Sequence, residues 1–250
     1  MTIPHVSSLL DQQLFFFFNA DRGMAWLDTL MAVFSSLDFW FPLFVAGGVL
    51  LFWRGGFRAR SMLVCLLLSV GLMEGLFINP LKKAFGRPRP NEVLAGARII
   101  SIAPAPSRSV SDSGNPTPSL VDCAGDFLGA TPQVRALLQG ARVKPANPAT
   151  PPKPGKSFPS GHTSNMFCFA TVLTAFYRSR GAWFFLPAAL VAISRVATGA
   201  HWPSDVILTA MFSVALTLGL LALYGWLWRT FAPKLIPSIA ARHPRLVEPR

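Results

Sequence analysis

The sequence predicts an all-α fold: a polytopic membrane helical bundle of five to six transmembrane helices, with N-terminal interfacial helices and one long extramembrane loop. Of the 250 residues, 52% are hydrophobic and only 14% charged, where a soluble domain carries about a quarter charged residues. The apolar residues also fall in blocks long enough to cross a bilayer. The formal net charge of +12 would point to nucleic acid in a soluble chain. Here the basic residues lie in short loops between apolar blocks and around three polar clusters. The bilayer and an anionic substrate are therefore the expected partners, and nucleic acid is not.

Residues 1–38 form the first division of the chain. SSLLDQQLFFFFN and GMAWLDTLMAVFSSL are apolar pieces interrupted by Asp11, Asp21, Arg22 and Asp28. Each is short of the roughly 20 apolar residues of a full span, so helices lying in the interface are expected, with one irregular crossing as the alternative. Residues 39–250 form the second division. Phe39 to Trp53 is a charge-free span closed by the basic loop RGGFRAR, and Ser61 to about Leu81 is the next, with a lone carboxylate at Glu74. A buried carboxylate there is either functional or a protonated group bonded to a neighbouring helix. It precedes Lys82 by about two turns, or roughly 12 Å along a helix.

After LKKAFGRPRP comes a polar connection, residues 91–156, with ten prolines between Pro104 and Pro154. It reads as an irregular extramembrane loop with one short helix at 133–138 and no second folded domain. Three more spans follow, about Thr163–Tyr177, Ala182–Val196 and Asp205–Trp228, then a basic, proline-broken tail, residues 229–250. Cys65 and Cys168 fall in apolar segments and Cys123 in the loop, without disulfide or metal spacing. No basic region, apolar core and cleavage site open the chain, so no cleaved signal peptide is expected.

The order of spans puts the end of the second, the start of the third and the link between the fourth and fifth on one membrane face. The opposite face receives Arg54, Arg58, Arg60, Arg178, Arg180, Arg229 and Lys234. The positive-inside rule makes that face cytoplasmic. The chain is therefore expected in a bacterial inner membrane, with its polar clusters facing the periplasm or exterior and its C-terminus in the cytoplasm.

Those clusters carry the chemistry. Lys82, Lys83, Arg87 and Arg89 gather at the end of the second span, on the face the rule leaves poor in cations. They are either an anion site or a collar for lipid headgroups. Lys156-Ser-Phe-Pro-Ser-Gly-His162 opens the third span, where a helix N-terminus offers backbone N–H groups, the Ser160 hydroxyl and an imidazole. Gly161 lets an anion approach the backbone. In SRVATGAHWPSD, Arg195 ends an apolar run, and Pro203 starts a helix whose first turn holds Asp205. From there Asp205 is expected to reach back to one ring nitrogen of His201, leaving the other free as nucleophile or base. Each stretch alone is also an ordinary capped helix. Together they meet the needs of phosphoryl transfer through a phosphohistidine: cations for the nonbridging oxygens, one histidine to attack and one to protonate the leaving oxygen. No residue set has a convincing metal-site arrangement, so no metal and no cofactor are expected.

The three stretches resemble the signature of the type 2 phosphatidic acid phosphatase superfamily of membrane lipid phosphatases. Lys-x6-Arg-Pro stands as Lys82 to Arg89-Pro90, Pro-Ser-Gly-His as Pro159 to His162, and Ser-Arg-x5-His-x3-Asp as Ser194-Arg195, His201 and Asp205. The resemblance covers about Phe39 to Trp228 and implies a helical bundle and metal-independent catalysis. It implies His201 as nucleophile, Asp205 as its orienter and His162 as general acid, with Lys82, Arg89, Ser160, Gly161 and Arg195 binding the phosphoryl oxygens. The long connection at 91–156 departs from compact members of the family.

The function expected on this basis is hydrolysis of a lipid phosphate or diphosphate at the outer face of the inner membrane. Undecaprenyl diphosphate is favoured slightly, lipid A phosphate follows closely, and phosphatidylglycerol phosphate and phosphatidate are further candidates. The motifs read the phosphate and not the lipid. Phosphotransfer from the same phosphohistidine to a lipid or sugar hydroxyl is the alternative. A non-catalytic lipid-binding protein on the same fold is disfavoured by the intact nucleophile and orienter. The oligomeric state has no sequence signal.

Overall fold

A computed structural model describes residues 8–102, 140–148 and 155–247. The helix expected at 133–138 and Cys123 lie outside the described residues. The N-terminal region begins with helix α1 (Leu9–Asn19), capped by the Ser8 side chain, which accepts from the Asp11 N–H at 3.2 Å. Asp11, Phe15 and Asn19 recur every fourth residue and are all buried, while Leu10, Leu14 and Phe17 on the other side are exposed. One stripe of α1 thus packs on protein and the rest presents an apolar outer face.

Helix α2 (Ala25–Ser35) and helix α3 (Leu37–Arg54) meet at Ser36, whose backbone is extended. The two axes are bent by 49°, and together the pair is long and apolar enough for one broken span. Such a bent pair is the geometry of a broken span or of a re-entrant loop, where the sequence suggested interfacial helices for residues 1–38 with one irregular crossing as the alternative.

The next span runs through helix α4 (Phe57–Leu72), a π-helical turn (Met73–Ile78) and helix α5 (Asn79–Phe85). The π turn has a local cause: Pro80 has no N–H to offer the carbonyl of Leu76, and the ladder slips so that Asn79 N–H bonds to Glu74 O. A short helix α6 (Pro90–Val93) and two antiparallel strands, β1 (Arg98–Ile102) and β2 (Ala141–Pro145), follow, with Arg98 opposite Pro145. This two-stranded sheet was not expected in the connection. Its strands are far apart in sequence, and no local turn signal joins them.

Helix α7 (Gly161–Tyr177) lies at the centre, packed against α4, helix α9 (Phe185–Ala197) and helix α10 (Pro203–Leu235), with the short helix α8 (Ser179–Ala182) at its end. Met62, Cys65 and Met73 meet Cys168, Val172, Phe176 and Leu221 in the main core. A second core next to the polar clusters joins Phe15 to Ala192, Val196, Trp202 and Val206. Helix α11 (Pro237–Arg242) closes the described chain. Among the described residues, three helices are long and apolar enough to cross a membrane, or four counting the bent α2–α3 pair. The third expected span, Thr163–Tyr177, corresponds to α7, whose 17 residues leave it shorter than those helices and mostly packed on protein.

Candidate active site

The ends of α5, α7, α9 and α10 meet at one end of the bundle and between them deliver the three polar clusters. Residues 155–157 run alongside residues 86–87: Gly155 N–H donates to Gly86 O at 3.1 Å and Ser157 N–H to Arg87 O at 2.9 Å. The approach requires glycine at 155, where a Cβ would lie 2.4 Å from Pro88 Cα and 2.6 Å from Arg87 O. The first and second motifs are thus bound backbone to backbone. The third is tied to both, because Trp202 Nε1 donates to Pro88 O at 2.9 Å and Ser157 Oγ donates to the Asp205 carboxylate at 2.5 Å.

His201 is 3% exposed. Its Nδ1 lies 2.5 Å from the carbonyl oxygen of Ser157, which can only accept, so Nδ1 carries the proton and Nε2 is left with a lone pair. The acceptor expected in this place was Asp205. Instead, the fully buried Asp205 carboxylate accepts from Ser157 Oγ at 2.5 Å, from Arg87 Nη1 at 2.5 Å and from Trp202 N–H at 3.2 Å. The carboxylate in the first turn folds onto its own helix start, as a capping group does. It reaches His201 through Ser157.

Arg87, which the sequence placed in the basic cluster at the end of the second span without a role of its own, is central to this support. It joins Asp205 to Asp11 of α1 (2.7 Å) and to Ser204 Oγ (2.9 Å), with its guanidinium 5.3 Å from the Trp202 ring centre. Asp11 also accepts from Ser204 N–H at 2.9 Å and Ser204 Oγ at 2.7 Å, satisfying a donor at the start of α10. The only sequence signal for Asp11 was its place in the 11–15–19 stripe. Ser157 gave none, since a carbonyl acceptor has no side-chain signature.

The remaining predicted residues surround the two histidines. Arg195 is anchored through Nη1 to Ser35 O at 3.1 Å and to Ser35 Oγ, another partner that sequence reasoning missed. Its Nε and that of Arg89 are buried without a hydrogen-bond partner among the described residues. Arg195, Lys82 and Arg89 all act electrostatically on His162. Gly161 faces Lys82: a Cβ there would lie 3.3 Å from Lys82 Nζ. Ser160 is fully buried and already engaged, its N–H donating to Thr209 Oγ1 at 3.1 Å and its Oγ accepting from Thr163 Oγ1 at 3.0 Å. Its hydroxyl proton remains for an anion, whereas its N–H does not.

His201 sits in the loop between α9 and α10, and its pKa is pushed well below the ordinary 6.5, first by burial and then by the Arg195 charge. Arg89 and His162 act in the same direction, and the Ser157 carbonyl opposes them. The ring is therefore neutral at physiological pH, with a free Nε2. Among the described residues, no three of His, Cys, Asp and Glu come together as metal ligands. At this end of the bundle cations gather around two imidazoles, and the Nε atoms of Arg89 and Arg195 are buried without a hydrogen-bond partner among the described residues.

A 62-residue stretch is 37% identical to a lipid A 1-phosphatase of Porphyromonas gingivalis. That stretch is 23% of this chain and 14% of that protein, so the match spans a small part of the relative's length. The crystal structure of Aquifex aeolicus LpxE aligns over 89% of this chain and 99% of that one, at 21% identity and a TM-score of 0.48. The sequence profile of the PAP2 superfamily matches residues 59–229, which contain all three clusters and four of the helices that carry them, and the chain belongs to that superfamily.

Proposed function

We propose that the protein is a membrane lipid phosphate phosphatase that works through a phosphohistidine on His201 without a metal. The carrying observation is the pair of buried guanidinium nitrogens, Nε of Arg89 and of Arg195, that have no partner among the described residues and act on an imidazole held in one tautomer. Nε2 of His201 attacks phosphorus in line, forming the N–P bond as the bond to the leaving oxygen breaks. His162 gives its proton to that oxygen. It then takes one from the water that cleaves the N–P bond, releasing phosphate and restoring His201. Lys82, Arg89 and Arg195 hold the nonbridging oxygens, with Gly161 leaving them room and the Ser160 hydroxyl adding a donor. Asp205 orients His201 through Ser157.

The match to a lipid A 1-phosphatase supports lipid A phosphate as the first substrate to test, ahead of undecaprenyl diphosphate. The site opens at one end of apolar helices, and the basic loops at the other end support a periplasmic or exterior opening in an inner membrane, with the C-terminus cytoplasmic. Phosphotransfer to a hydroxyl acceptor uses the same intermediate. The test is inorganic phosphate release by detergent-purified protein, with EDTA present, from lipid A, undecaprenyl diphosphate, phosphatidylglycerol phosphate and phosphatidate. Release from at least one lipid, lost in His201→Ala, is expected. Release that survives in His201→Ala removes the mechanism, and release abolished by EDTA removes metal independence.

A further inference from the structure

One acidic side chain stands among the cations of the site without a role in the chemistry above. The π turn directs Glu74 at Gly161, so that a Cβ on Gly161 would lie 3.1 Å from Glu74 Oε1 and 3.3 Å from Lys82 Nζ. Asn165 Nδ2 donates to the same Oε1 at 3.1 Å, and Asn165 Oδ1 is buried with no partner among the described residues. A carboxylate next to a phosphate cradle weakens anion binding by repulsion. Beside the compensating charge of Lys82, the carboxylate suits a hydrogen-bond donor and not a phosphate oxygen.

Depth identifies that donor. Asn165 lies one turn past Gly161, or about 5.4 Å along α7 toward the bundle interior. Glu74 precedes Lys82 by about two turns on the span that ends at the cradle, so it too lies on the bundle side. A lipid whose phosphate sits in the cradle and whose tail enters the bilayer must pass its leaving alcohol across this level. Asn165 also follows His162 by three residues and so shares its face of α7. Two hydrogen-bond acceptors, Glu74 and Asn165 Oδ1, therefore line the path of the leaving group.

Resting on the phosphatase reading, we infer that Glu74 and Asn165 form a headgroup subsite that accepts hydrogen bonds from hydroxyls on the leaving group. The preferred substrate class is a phosphorylated sugar lipid, and not a prenyl or diacylglycerol phosphate, whose leaving groups carry no hydroxyl donor beside the phosphate. Glu74→Gln keeps the shape and loses the charged acceptor. Asn165→Ala is the second variant.

The experiment measures kcat/KM for a glucosamine 1-phosphate lipid and for a prenyl monophosphate, with wild type and both variants. Size-exclusion profiles and thermal unfolding of each variant are recorded alongside. Wild type is expected to prefer the sugar lipid, and each variant to lower the sugar-to-prenyl ratio by about tenfold or more, since a site built to bind a hydroxyl discriminates strongly. A ratio unchanged in both variants overturns the subsite, including the case where both substrates slow together because the bundle is disturbed. A wild-type preference for the prenyl phosphate overturns it too. Silence of folded wild type on both lipids and on the wider lipid panel overturns instead the phosphatase reading on which the subsite rests.

Discussion

The Ser157 carbonyl oxygen lies 2.5 Å from Nδ1 of His201, while the Ser157 hydroxyl lies 2.5 Å from the Asp205 carboxylate. One residue thus stands between the histidine and the aspartate that were expected to touch. Ser157→Ala should leave the carbonyl in place and remove its tether to Asp205. Loss of a hydrogen bond to a charged group predicts a fall in kcat of roughly 10- to 100-fold with KM little changed. Steady-state kinetics on the best lipid check this, and an unaltered kcat would mean that Asp205 does not act through Ser157.

The depressed pKa of His201 has a direct consequence for pH dependence. The nucleophile must be neutral, and a pKa below 6.5 keeps it neutral through mildly acidic conditions. kcat/KM, corrected for the substrate's own ionisation, should hold as pH falls from about 7.5 to 6.5 and decline only below that. Arg89→Gln removes a positive charge that disfavours the imidazolium, so its acidic limb should move to higher pH. An acidic limb that stays put in this variant would place Arg89 away from the histidine.

Arg195→Ala should cost about 3 to 4 kcal/mol of transition-state stabilisation, the range for a preorganised donor at a developing oxyanion. It also releases Ser35, to which Arg195 is bonded. Ser35→Ala should therefore show a smaller loss of the same kind, seen as a lower kcat/KM on any lipid the enzyme accepts.

Helix α1 is held on the site through Asp11. Asp11→Ala leaves Arg87 short of one buried partner and uncaps Ser204 N–H, which predicts a loss of about 3 kcal/mol in stability. Asp11→Asn, which keeps an acceptor for Ser204, should lose less. Thermal unfolding in detergent ranks the three proteins, and equal melting temperatures would show that α1 does not brace the site.

Gly155→Ala tests the backbone contact between the first two motifs. Its Cβ would meet Pro88 Cα at 2.4 Å and Arg87 O at 2.6 Å, both on backbone that cannot swing aside. A cost of about 1–3 kcal/mol is expected, with activity reduced at temperatures where the fold persists. Gly47→Ala in α3, where a Cβ meets nothing within 4 Å, serves as the control.

By itself the sequence determined the class of the fold and marked the charged and titratable residues expected at the site. Long uncharged blocks force helices into a bilayer, since buried backbone groups must bond within their own segment. Lys82, Arg89, His162, Arg195 and His201 stood out because charged and titratable groups at the ends of such blocks are costly without a role. Only the tertiary structure decided who touches whom. Asp205 turned to Trp202 N–H, Ser157 and Arg87 because a helix start has donors of its own to satisfy and a buried guanidinium must be paired. Asp11, Ser35 and Ser157 entered the site from segments remote in sequence, by contacts that no local pattern encodes. Glu74 was visible as an anomaly in an apolar span, but its aim at Gly161 depends on a π turn and on where α7 packs against α4. Those are properties of neighbouring helices and not of the segment that carries the carboxylate.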